Sequence, residues 1–155
     1  MGNNIPICPI EFDESLIKHT VQFSVPGKPI GKQRPRVTTR GGFARAYTPK
    51  ETVEYENRIR TSYRCISGGK LSGPVFASIE GIFPIPKSAS KKEKELMLSG
   101  SIPYTKKPDC DNIAKSVLDA LNTIAYDDDS QVCKLMVSKT YGEIPKVNVY
   151  LEEIK

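Results

Sequence analysis

The chain has 155 residues, 38% of them hydrophobic and 26% charged, which suits one globular domain with a real apolar core. No apolar run approaches the roughly 18 residues of a membrane span, so no membrane protein is expected; the start lacks the pattern of a secretory signal, which leaves secretion unsupported and makes the cytoplasm the expected place. The net charge of +5 and a pI near 9.0 point to a polyanionic partner.

Residues 1–19, interrupted by Pro6 and Pro9, read as a loosely held N-terminal arm, and residues 20–155 as the functional domain. Val21, Phe23 and Val25 alternate with polar neighbours, the two-residue repeat of a strand with one buried face. From Gly27 to Tyr47 the chain is rich in Gly, Pro and Arg, which predicts a long exposed loop or irregular ribbon. Eleven Lys or Arg against three Glu between residues 27 and 70 give that region a charge of about +8.

Thr48, Pro49 and Glu51 have the spacing of a cap, a first helical position and a capping box, predicting a helix to about Ile66 with Val53, Ile59, Tyr63 and Ile66 near one face. "VFASIEGIF" predicts a strand that turns Val75, Ala77, Ile79 and Phe83 to one side. Ser90 and Glu93 predict a short capped helix ending at Gly100. A third helix, about Asn112 to Ile124, puts Ile113, Ala114, Val117, Leu118, Leu121 and Ile124 on one face and Lys115, Asp119 and Asn122 on the other. "VCKLMVSKTY" and "KVNVYLEEI" read as strands joined in a hairpin-like connection through Gly142 and Pro145. The expected fold is a single α/β (α+β) domain, a mixed sheet packed with about three helices.

Acidic residues flank the third helix. Asp109 and Asp111 precede or open it, and Asp127, Asp128 and Asp129 follow it; with Asp119 and Lys115 the segment carries about −5. The structural alternative is helix capping by Asp111 or Asn112 with an exposed ladder of Asp111, Lys115 and Asp119. If instead three carboxylates converge, their repulsion calls for a cation, and oxygen-only ligands suit Mg²⁺ or Mn²⁺. A carboxylate-held ion beside a basic loop fits phosphodiester hydrolysis, with Lys115 one turn from Asp111 able to approach the phosphate. A helix of 13 residues rises about 20 Å, so Asp129 meets the first pair only if the helix is shorter or a second chain supplies it. Cys8, Cys65, Cys110 and Cys133 are scattered, form no C-x-x-C pair and accompany a single histidine, His19, which argues against zinc and for reduced thiols.

"KPDCDNIAKSVLDAL" followed by "AYDDDSQV" resembles the signature of the RusA-type Holliday junction resolvases, small nucleases of bacteria and their prophages. The likeness is tight over residues 105–133 and looser at "PGKPIGKQRPR" and "YTPK". It implies a RusA-like fold and a Mg²⁺-dependent homodimeric endonuclease of recombination or repair that binds four-way DNA junctions and cuts two strands of like polarity. By position, Asp109, Asp111 and Asp129 would hold the metal, Lys115 would be the catalytic lysine and Asp128 would be accessory. Asp127 stands where the family has an apolar residue. Lys106 and Lys107 match basic residues the family carries before its D-x-D, although Pro108 separates them from Asp109. Lys32, Arg34, Arg36, Arg40 and Arg45 are the expected phosphate contacts. A non-catalytic nucleic-acid-binding module and a nuclease for other branched DNA or RNA are the alternatives.

Overall fold

Strand β1 (Ile17–Pro26) leads into a long connection that carries two short strands, β2 (Arg36–Thr38) and β3 (Arg45–Tyr47), before helix α1 (Lys50–Cys65). Strand β4 (Val75–Pro84), helices α2 (Lys91–Leu98) and α3 (Cys110–Leu121), and strands β5 (Val132–Gly142) and β6 (Lys146–Ile154) complete the order. The computed structural model describes residues 17–66 and 68–155. The expected N-terminal arm lies outside the described residues as far as residue 16, and Ile17 already belongs to β1.

The main sheet has the order β1-β6-β4-β5, with β6 antiparallel to both β1 and β4, and β5 parallel to β4. The mixed α+β architecture matches the expectation, but the hairpin does not form. β4 inserts between β5 and β6, so the residues 143–145 cross over one strand instead of closing a ladder. The two-residue alternation identified both strands; pairing is decided by which apolar strand fills the centre of the sheet, and β4, buried at every residue from Val75 to Ile79, fills it.

Val21, Phe23 and Val25 of β1, Ala77, Ile79 and Phe83 of β4, and Val147, Val149 and Leu151 of β6 share one sheet face and one core. Against them pack Tyr55, Ile59 and Tyr63 of α1 and Ile113, Ala114, Val117, Ala120 and Leu121 of α3. The expected face of α3 is correct, with Leu118 and Ile124 at its margin and Ile124 beyond the helix end. In α1 the register differs: Val53 and Ile66 are exposed, and Thr52, Tyr55 and Glu56 take the inner side. The capping box at Thr48 and Glu51 is absent. Pro49 is the cap, its carbonyl accepts from Thr52 N at 3.0 Å, and the Glu51 carboxylate is drawn away by the Gln33 amide at 3.0 Å. The Ser90–Glu93 box of α2 forms in both directions.

Glu153 is, with Glu56 and Glu152, one of three buried carboxylates among the described residues, 4% exposed at the β1–β6 ladder. One carboxylate oxygen accepts from Lys18 Nζ at 3.2 Å, Ser72 Oγ at 3.1 Å and Gly73 N at 2.9 Å. Burial pushes its pKa up, but these donors and the lysine charge outweigh that and hold it below the ordinary glutamate value of 4.5. A depressed folded pKa stabilises the fold fully above the unfolded value, and the contribution is lost as pH falls through the folded value. Glu153→Gln is therefore expected to lose about 1–3 kcal/mol at pH 7, with the Tm gap to wild type narrowing as pH drops below 4.5, measured by thermal melts across pH.

Candidate active site and nucleic-acid interface

The approach to α3 is held by its backbone carbonyls. Tyr104 stacks on Phe83 with centroids 3.8 Å apart, and its hydroxyl donates to Lys107 O at 3.1 Å. Lys139 of β5 donates to Lys106 O at 2.9 Å and Pro108 O at 3.1 Å while its ammonium lies 5.4 Å from the Tyr104 ring. From the other side, Lys32 N donates to Asn112 O at 2.9 Å, and Gly31 sits so close that a Cβ there would come within 2.7 Å of Pro108 Cβ. Glycine at this position is what lets the loop after β1 press against the start of α3.

With the carbonyls so engaged, the carboxylates are left over. Asp109 is the N-cap residue of α3 but makes no side-chain cap bond, and Asp111 lies in the first turn; both are exposed. Among the described residues neither carboxylate has a hydrogen bond or ion pair, and the partial positive charge of the helix N-terminus is the main local compensation. Lys115 is exposed and equally unpaired among them. The alternative ladder does not form, because Asp119 is bound by Lys32 at 3.1 Å instead.

Lys32 is thus placed differently from its expected role at phosphates. Its ammonium contacts Glu56 and Asp119 together, joining the loop to α1 and α3, and Arg60 adds a second contact to Glu56 at 3.4 Å. Partial burial pulls the Lys32 pKa down, but the hydrogen bonds and charges of Glu56 and Asp119 prevail and hold it above the ordinary lysine value.

At the other end of α3 the three consecutive aspartates have different surroundings. Asp127 pairs with Lys70. Asp128 caps the 3-10 turn Asp129–Gln131 by accepting from Ser130 N at 2.8 Å, and its contacts with Ser130 hold its pKa below the ordinary aspartate value. Asp129 is exposed, with no side-chain hydrogen bond or ion pair among the described residues. Gln131 fastens the whole turn: its amide donates to Leu71 O at 3.2 Å and Gly73 O at 3.0 Å, and its oxygen accepts from Asp127 N at 2.8 Å and Asp128 N at 3.2 Å. Tyr126 is buried beneath, its hydroxyl donating to Leu118 O at 2.8 Å; burial and then the charges of Asp129 and Asp119 push its pKa up.

The two acidic groups are not brought together within one chain. A helix of 12 residues rises about 18 Å. Among the described residues, no group of three His, Cys, Asp or Glu is arranged to hold a metal ion. Cys65, Cys110 and Cys133 are free thiols, and Cys8 lies outside the described residues.

Arg34, Arg36, Arg40 and Arg45 are exposed along and before the β2–β3 ribbon, and none of their guanidinium groups has an ion pair or hydrogen bond among the described residues. Lys106 and Lys107 are also exposed, with only their carbonyls engaged. A cleft of about 520 Å³ runs between the loop and α3, lined among others by Lys28, Gln33, Lys107 and Asp109. Two positions carrying this geometry, Lys139 and Gly31, escaped the sequence reading. Gln131 was legible only as part of a motif, since its partners at Leu71 and Gly73 are remote in sequence.

A sheet backed by two helices, an unspent D-x-D at a helix start and an exposed arginine ribbon are the parts of a nucleic-acid-processing enzyme. The sequence profile of endodeoxyribonuclease RusA matches residues 26–152, and the chain belongs to the RusA endodeoxyribonuclease family. It is also 38% identical over 139 residues to the uncharacterized protein YqaN of Bacillus subtilis (strain 168), covering 86% of this chain and 96% of that one. Membership implies a Holliday junction-resolving endonuclease. No helix among the described residues is long and apolar enough to cross a membrane.

The Gln131 contacts give a graded expectation. Gln131→Ala removes the partners of two carbonyls and two amides and is expected to cost about 1–3 kcal/mol, whereas Asp127→Ala, which breaks a largely exposed pair, is expected to cost under about 1 kcal/mol. Urea denaturation of the two variants checks the order.

Proposed function

We propose that the protein is a cytoplasmic, divalent-metal-dependent homodimer that cuts four-way DNA junctions by paired, symmetric strand cleavage, with Asp109, Asp111 and Asp129 holding the ion. The observation that carries this reading is the contrast among the aspartates: Asp119, Asp127 and Asp128 are engaged within the fold, whereas Asp109, Asp111 and Asp129 are exposed and unspent. Unpaired carboxylates with no structural task form an oxygen donor set that fits Mg²⁺ or Mn²⁺.

The separation along α3 gives the dimer a chemical reason. β5 is an edge strand of the four-stranded sheet; it begins just after Asp129 and reaches, at Lys139, the carbonyls that precede Asp109. Two copies paired along β5 about a twofold axis run antiparallel, so the beginning of each strand lies beside the end of the other. Asp129 of the partner subunit would then join Asp109 and Asp111, giving two equivalent sites for a junction with approximate twofold symmetry. A bound ion supplies Lewis-acid stabilisation of phosphate charge and a more acidic water. Lys115, one turn after Asp111, adds positive charge toward the attacked phosphate, Asp128 keeps the Asp129 turn in shape, and Arg34, Arg36, Arg40, Arg45, Lys106 and Lys107 hold the flanking phosphates.

Cleavage of an immobile four-way junction, a fork and a linear duplex with Mg²⁺ tests the reading. Paired symmetric nicks confined to the junction are expected, with Asp111→Asn abolishing cleavage and retaining junction binding; full cleavage by that variant would refute the assignment. The trans arrangement has its own test. Asp111→Asn and Asp129→Asn proteins, each inactive, are refolded together: a heterodimer carries one doubly altered and one intact site, so single-strand nicking returns. Sites completed within one chain yield no recovery.

A further inference from the structure

The β2–β3 ribbon carries more than positive charge. Arg36 pairs with Tyr47, Val37 with Ala46 and Thr38 with Arg45 across its two strands. By strand alternation Arg36, Thr38, Arg45 and Tyr47 share one face, and Val37 and Ala46 share the other. The turn beyond Thr38 is shaped by Gly42 N donating to Thr39 O at 3.1 Å and Arg40 N donating to Thr38 Oγ1 at 3.3 Å. Gly41 and Gly42 both take positive φ, +88° and +83°, and an added Cβ at either would meet nothing, so glycine here serves the sharpness of the turn and not close packing. Immediately after them stands Phe43, 75% exposed, the most exposed of the large apolar side chains among the described residues; Val37 is 66% and Tyr47 48% exposed.

An aromatic ring in the turn of a ribbon, left three-quarters exposed by the described residues, costs hydrophobic free energy unless a partner buries it. The surrounding charge names the partner's chemistry. Arg36, Arg40 and Arg45 lie on the same ribbon and its turn, all exposed and without acidic partners among the described residues, which favours a polyanion and disfavours an apolar protein groove. A flat ring on a ribbon rich in exposed guanidinium groups matches bases bordered by phosphates: the arginines hold the backbone and the ring stacks where pairing is interrupted. We propose that Phe43 is a wedge that inserts against the unpaired or unstacked bases at the branch point of the DNA substrate, with Arg36, Arg40 and Arg45 gripping the adjoining phosphates. This rests on the junction-nuclease reading and adds to it a positioning residue outside the aspartate set.

The experiment uses the full-length protein and a four-way junction with 2-aminopurine at the branch point, followed in Ca²⁺ to suppress cutting. Wild type is expected to raise the fluorescence as the base unstacks. Phe43→Ala is expected to bind about tenfold more weakly and to lose most of that rise, while Phe43→Trp restores both. Arg36→Ala and Arg45→Ala are expected to flatten the salt dependence of binding yet keep the fluorescence rise at saturation. An unchanged rise and affinity in Phe43→Ala, with its melting temperature equal to wild type, would overturn the wedge and leave the nuclease reading standing. Failure of wild type to bind any junction would overturn both.

Discussion

The rigidity of α3 is the constraint from which the rest of the site follows. Its backbone hydrogen bonds fix the rise at about 1.5 Å per residue, and the chain then turns at Tyr126–Gln131 and runs back along β5 beside β4. The D-x-D and the aspartate turn are consequently held at opposite ends of one packed unit whose inner face, from Ile113 to Leu121, is anchored in the core. Neither end moves without unpacking that core. Three uncompensated carboxylates would repel one another if the fold forced them together, and the fold of the single chain avoids that by distance.

Around that helix, the charges divide into those used to build and those left for chemistry. Lys32 shows the division most clearly: its ammonium joins Glu56 of α1 to Asp119 of α3, and its backbone N–H holds Asn112 O. The adjacent Gly27 N donates to Pro145 O at 3.1 Å, and Arg58 reaches Pro26 O at 3.3 Å. The base of the basic loop is therefore part of the folded domain. Beyond Gln33 those anchors stop, and Arg34, Arg36, Arg40 and Arg45 follow with no partner among the described residues. One basic segment thus has two parts, a cross-brace near its origin and an exposed, unpaired cationic stretch farther out.

Local periodicity carried the sequence reading a long way, and its failures are tertiary. The alternation in β1 and β4, the Ser90–Glu93 box and the apolar face of α3 depend on neighbours a few residues away, and each appears as expected. Which strand lies between β5 and β6 depends on β4, more than fifty residues earlier in the chain, and the two-residue repeat has no record of it. Glu51 had the spacing to cap α1, yet the remote Gln33 amide competes for it; Val53 had the apolar character of a core residue, yet Thr52 and Tyr55 fill the inner side. In the site the motif residues were legible as a pattern of charges, but composition treats every lysine alike. Only packing distinguishes Lys32, braced by two carboxylates, from Lys115, which has none, and only packing recruits Lys139 to the carbonyls before Asp109.

The division between charges engaged in the fold and charges left unpaired has an electrostatic consequence. An aspartate cluster repels the phosphates of its own substrate, so a nuclease of this kind needs cations elsewhere to hold the polyanion against that repulsion. Were those cations within a few ångströms of the aspartates, they would form ion pairs and neutralise the donor set, as Lys32 neutralises Asp119 and Lys70 neutralises Asp127. Arg34, Arg36, Arg40 and Arg45 make no such pairs among the described residues, and neither do the side-chain ammonium groups of Lys106 and Lys107. Their charge is therefore available to a polyanion, and that of Asp109, Asp111 and Asp129 to a cation. The two sets of charges do not cancel one another among the described residues, and neither is used up in building the fold.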